Sequence, residues 1–134
     1  MNRENLQALI NHLRTVEDVE FDMSNWLYKR KDGCGTAGCV AGHAVLVAKR
    51  LGQLKELNVA ALDDEDDEPE VITLNGSKPD AWDFAQEWLD LPTKVAASLF
   101  VSAKAMELSR TEMIDLLQQI HDDQTYPRWV AREY

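Results

Sequence analysis

Basic residues are scarce in this chain. Fourteen Lys and Arg face 24 Asp and Glu over 134 residues, leaving a formal net charge of −10 and a pI near 4.6. Nucleic-acid backbones are gripped by basic surfaces, so direct binding of DNA or RNA is not expected. A basic protein fits as a partner through charge complementarity. Long apolar runs are missing too. The longest weakly polar stretch, residues 37–48, spans 12 residues and includes His43, short of the roughly 18 that a bilayer demands. The opening Met1-Asn2-Arg3-Glu4-Asn5 runs into an amphipathic pattern without the apolar core of a signal peptide. No membrane association is expected, and the expected compartment is the cytosol. Cysteine is limited to two residues. In a reducing compartment these are thiols or metal ligands rather than a disulfide.

What is present is helical periodicity. The length suits one domain with a real core but not two, so residues 1–134 are read as a single, mainly α domain. About five helices are expected, with a short β-hairpin near residues 57–76. Leu6, Leu9, Ile10, Leu13 and Val16 recur at helical spacing and predict a first helix over 3–16. Glu17 to Glu20 reads as an acidic connection. Phe21, Met23, Trp26, Leu27 and Tyr28 read as bulky anchors on a helical turn. Thr36 is the expected N-cap of a second helix running to Leu51, with Lys49 and Arg50 near its C-terminus and Gly52 as its stop. On that helix Gly38 and Gly42 would share one face.

Residues 63–70 form an acidic run holding seven of the 24 acids, and the rest of the chain then carries −3. Such charge density predicts an exposed loop. Its ligand spacing does not match an EF-hand. Val71 to Leu74 before Asn75-Gly76 predicts a strand and turn, with 57–62 as the partner. Asp80 should cap a third helix over 80–90, with Trp82, Ala85, Trp88 and Leu89 facing inward. Leu91-Pro92 breaks it. Val95, Leu99, Phe100, Ala103 and Met106 mark a fourth helix. Ser109-Arg110-Thr111-Glu112 is a capping-box pattern opening a fifth, whose stripe is Met113, Leu116, Leu117 and Ile120. Residues 125–134 form an aromatic C-terminal tail that docks on the body or on a partner.

The chemistry is concentrated in residues 33–43, which hold both cysteines, four of the six glycines and one of the three histidines. Three readings compete with plain packing. First, Cys39 and His43 at i and i+4 of a helix could reach one ion, with Cys34 closing over them. Zinc is the metal this donor set would accept. The fourth ligand, His12, His121 or a carboxylate, would come from elsewhere, and no other cofactor is implied. Second, His43 could serve the Cys39 thiol as base, although no orienting group is identifiable and an enzyme is not the favoured reading. Third, Lys29, Arg30 and Lys31 precede Gly33, Gly35 and Thr36, a run whose backbone N–H groups could receive a nucleotide or another phosphate. It lacks the Walker A spacing. Against all three stands the reading of Cys39 and His43 as a small apolar residue and a hydrogen-bonded core histidine.

Phe21-Asp22-Met23-Ser24-Asn25-Trp26, followed by Cys34-Gly35-Thr36-Ala37-Gly38-Cys39-Val40-Ala41-Gly42-His43-Ala44, resembles a set of small uncharacterised proteins encoded by bacteriophages and prophages. The similarity continues through Ala85 to Leu91 and Leu99-Phe100 to a Thr-initiated last helix at Thr111, covering about residues 6–120. Asp90 stands where the family pattern has glycine. The resemblance implies an accessory protein of a phage or mobile element and no particular activity. It also implies that Cys34, Gly35, Thr36, Cys39, Gly42 and His43 act as a unit. The expected function is therefore binding of a host macromolecule, with a basic host protein as partner. The alternative is a small ligand-, metal- or nucleotide-binding protein or enzyme built on Cys34, Cys39 and His43.

Overall fold

Five helices of eight residues or more and one single-turn helix make up most of the described structure. The computed structural model describes residues 1–23, 27–29, 36–59 and 69–130, with backbone only for 27–29 and 36–38. Helix α1 (Arg3–Thr15) starts at Asn2, whose side chain accepts the Asn5 N–H at 3.0 Å. Its buried stripe is Leu6, Leu9, Ile10, Leu13 and, beside them, His12. A 3-10 turn (Asp18–Glu20) follows, closed by its own capping box.

Strands β1 (Leu27–Lys29) and β2 (Thr36–Gly38) pair antiparallel, Leu27 with Gly38 and Lys29 with Thr36. This hairpin corrects two expectations. Leu27 and Tyr28 are extended rather than on a helical turn, as suits an aromatic residue such as Tyr28. Thr36 lies in a strand, so it cannot cap a helix. Helix α2 (Val40–Arg50) is capped three residues later, by Cys39, and Gly38 is not part of it. It stops as expected: Gly52 takes φ +75°, open to glycine without strain, and Gln53 N–H closes back on Ala48 O at 2.9 Å.

Strands β3 (Leu54–Asn58) and β4 (Glu70–Thr73) form the second hairpin, Leu54 opposite Thr73 and Asn58 opposite Glu70, with a register shift between Leu54 and Glu56. The hairpin is where the sequence placed it, but β3 begins three residues earlier than expected. The acidic run lies outside the described residues through Glu68, and its last member, Glu70, is exposed on β4.

Helix α3 (Ala81–Leu89) is capped by Asp80, which accepts the Asp83 N–H at 2.7 Å. It ends at Asp90 with φ 53° and ψ 55°. This is the left-handed region that favours glycine, at the position where the resembled family carries one. Helix α4 (Thr93–Phe100) and the one-turn α5 (Ala103–Met106) replace the continuous fourth helix. Ser102 divides them. Its hydroxyl donates to Ser98 O at 2.6 Å and accepts from Ala105 N at 3.1 Å, so it caps a new helix instead of extending the old one. Helix α6 (Arg110–Asp123) opens on the expected box, with Ser109 N–H donating to Glu112 Oε1 at 3.0 Å and Glu112 N–H to Ser109 Oγ at 3.1 Å.

The core is one cluster drawing on every helix from α1 to α6 and on Leu54 and Val71 of the β3–β4 hairpin. Val130 is fully buried and Trp129 packs against the cluster beneath Lys104 Nζ, 4.9 Å from its ring centre. The described part of the tail therefore docks on the body. Among the described residues, no helix is long and apolar enough to cross a membrane.

Candidate functional site

The two histidines of α1 and α2 meet. His12 Nε2 lies 2.9 Å from His43 Nδ1, His43 Nε2 lies 2.7 Å from Glu20 O, and Arg50 Nη1 lies 3.0 Å from His12 Nδ1. The end groups fix the direction of the whole series. A guanidinium can only donate, so His12 Nδ1 accepts. A carbonyl can only accept, so His43 Nε2 carries a proton and donates. Two neutral rings, each protonated on Nε2, satisfy all three bonds. The tautomers are assigned from these partners. The relay runs Arg50 to His12 to His43 to Glu20 and ties α1, α2 and the 3-10 turn together. Phe21 stacks on His43 with ring centres 6.3 Å apart and planes 17° from parallel.

Burial holds both rings neutral. The His12 pKa is pushed down to about 4, first by loss of solvent and then by the nearby His43 and Arg50. The His43 pKa is also lowered, with burial the leading cause and the Glu20 carbonyl acting against it.

Cys39 sits at the other end of the same helix turn. Its sulfur accepts the Gly42 N–H at 3.5 Å, and the Val40 N–H is directed at Met23 Sδ, also at 3.5 Å. Two sulfurs thus take up helix-start donors that would otherwise lack partners. Burial raises the Cys39 thiol pKa to about 11. A reactive cysteine needs thiolate at neutral pH and access to substrate, and this one has neither.

Of the candidate metal ligands, Cys34 lies outside the described residues, while Cys39 and His43 are both buried. Both ring nitrogens of His43 are engaged within the protein, so a metal there would have to displace His12 or the Glu20 carbonyl. Among the described residues no group of three or more His, Cys, Asp or Glu is disposed to hold an ion. Of the candidate phosphate-binding run, Lys29 and Thr36 are backbone partners across β1–β2, and Arg30, Lys31, Gly33 and Gly35 lie outside the described residues. The α2 start itself has Gly42 N–H and Val40 N–H occupied by sulfur.

The sequence offers His12 only as a distant ligand and gives no local pointer to its partnership with Arg50. The signal was nonetheless available. A histidine beside the stripe of α1 and another inside the buried helix α2 must each find a buried partner, and each is the other's simplest solution. His121 goes elsewhere: its Nδ1 lies 2.9 Å from Asp122 Oδ1 at the surface, beside an open groove between α1 and α6.

A second feature lies on the far side of α3. Trp82, Asp83, Gln86, Glu87, Asp90 and Thr93 line an open groove of about 550 Å³. Trp82 Nε1–H donates to Gln86 Oε1 at 3.2 Å, and Gln86 Nε2 donates to Thr93 Oγ1 at 3.1 Å and Leu91 O at 3.2 Å. Phe100 packs edge-on against the indole at 5.7 Å. The groove therefore has a fixed, half-buried aromatic floor and an exposed rim of three carboxylates.

No family model matches this chain, and comparison with curated proteins and with solved structures finds no match.

Proposed function

We propose that this chain is an accessory protein of a phage or mobile element that works by binding a basic host protein, and that the α3 groove is the surface that does so. The observation that carries the proposal is the groove's composition: Asp83, Glu87 and Asp90 around a half-buried Trp82. Carboxylates attract a lysine or arginine side chain, and an indole face adds a cation–π contact of about 0.5–1 kcal/mol at an exposed site. The net charge of −10 would speed encounter with such a partner and make the interaction salt-sensitive. The phage setting comes from the sequence resemblance. Packing of Cys39 and His43 into the interior supports reading the two-cysteine segment as scaffold.

Affinity capture from host extract at low and moderate salt tests this, alongside fluorescence titration with a short Arg-rich peptide. The wild type should capture a basic protein, less of it at the higher salt. The double variant Asp83→Lys/Glu87→Lys should weaken both interactions by about tenfold or more without loss of fold. Capture of nothing above background, or equal capture by the double variant, refutes the proposal.

A further inference from the structure

We propose that the α3 groove takes arginine in preference to lysine, with the Trp82 indole as the platform under a guanidinium and Asp83 and Glu87 as its acceptors. This selectivity presupposes that the groove is the surface that meets a basic partner, and adds which basic side chain it holds. The reason is what the lining residues have left to offer. The Trp82 Nε1–H is bonded to Gln86 Oε1 at 3.2 Å, and the Gln86 amide nitrogen donates to Thr93 Oγ1 at 3.1 Å and Leu91 O at 3.2 Å. Among the lining side chains, only the Thr93 hydroxyl hydrogen remains as a donor. The free capacity is otherwise an aromatic face and carboxylate oxygens, so the occupant must bring the donors.

Asp83 and Glu87 are exposed and, among the described residues, their carboxylates enter no hydrogen bond or ion pair. Asp90 differs, because its carboxylate already faces the Met1 ammonium at 3.4 Å. Asp83 and Glu87 stand one helical turn apart, with Cβ atoms about 5–6 Å from each other. One planar fork of N–H groups spans that gap.

Lysine would bring a compact, strongly hydrated ammonium. Arginine brings five N–H donors in one plane on a weakly hydrated group, so its face lies on an indole while its edges reach carboxylates. Trp82 is the one aromatic ring among the residues lining the groove. Phe100 meets it at 84°, and such an edge-on neighbour covers at most one of its two faces. Gln86 is a positioning residue. Its single amide ties the indole N–H to Leu91 O and Thr93 Oγ1, which fixes the ring against the start of α4. A ring held in place before binding loses little freedom when a ligand stacks on it.

The test is titration of the whole chain, at low salt, with two end-blocked peptides of equal length and charge. One carries three arginines and the other three lysines in the same glycine–serine background. The wild type should bind the arginine peptide about fivefold or more tighter. Trp82→Leu should bring that ratio near one while both peptides still bind weakly by charge. Gln86→Leu should lower the ratio in the same direction. Asp83→Asn/Glu87→Gln should weaken both peptides by about tenfold. Equal affinity of the wild type for the two peptides overturns the arginine preference and leaves the groove as a general site for basic partners. Binding of neither peptide overturns the groove as the docking surface, and the preference with it. A preference that survives Trp82→Leu overturns the role of the indole. Should Trp82→Leu fail to fold, NMR of the wild type decides: the arginine peptide should shift the Trp82 ring signals and leave those of buried Trp88 in place, and unmoved Trp82 signals overturn the platform.

Discussion

The α1–α2 junction and the α3 groove are built on opposite terms. The junction gathers the residue types most often associated with chemistry, two histidines, a cysteine and an arginine, and closes them off. Its hydrogen-bonding capacity is consumed internally and its histidines and thiol are held neutral. The groove contains nothing chemically unusual, chiefly carboxylates, an amide, a hydroxyl and an indole, yet it is open and its carboxylates are exposed. The lesson is that reactivity depends on unsatisfied capacity rather than on residue type. A histidine with both nitrogens bonded has no capacity left for a ligand, whereas exposed carboxylates beside a half-buried indole stay accessible.

Variants of the two regions should separate cleanly. His43→Ala should have the largest effect, costing about 3 kcal/mol or more in chemical denaturation, because it leaves a cavity and strips a buried partner from both His12 and Glu20 O. The folded fraction should still capture partner like the wild type. If His43→Ala instead abolishes capture while leaving stability unchanged, the assignment of roles to the two regions is reversed. Cys39 gives a finer contrast. Cys39→Val keeps the apolar bulk but removes the acceptor for Gly42 N–H, and should cost about 1 kcal/mol. Cys39→Ser restores an acceptor at the cap and should recover part of that loss, a difference measurable by thermal melting. Smallest is Asp90→Gly on the groove side. It relieves the left-handed strain at the end of α3 and should raise stability by about 1 kcal/mol or less, while removing one rim carboxylate and so weakening binding slightly. A melting temperature that falls in Asp90→Gly would mean that the aspartate side chain contributes more than the strain costs.

The helices were readable because their signals are local. The stripe Leu6, Leu9, Ile10, Leu13, the Asp80 cap, the Ser109–Glu112 box and the Gly52 stop each act within one or two turns, and each was found in place. Errors arose where two local signals competed. Thr36 has the chemistry of a cap, but strand pairing with Lys29 claims it, and Cys39 caps the helix with a sulfur three residues on. Ser102 looked like an interior helix position until its hydroxyl turned back to Ser98. The candidate site was less legible. Its essential bonds join residues 12, 20, 43 and 50, and no short-range pattern links them.

The sequence alone determined the acidity, the mainly helical fold and the order of its helices, because charge adds up and helical periodicity is written residue by residue. Only the tertiary structure decided that His43 answers to His12 rather than to Cys39, and that Trp82 lies in a ring of carboxylates. Those outcomes depend on which groups burial brings within about 3 Å of each other, and distance in space is the quantity a linear chain does not record.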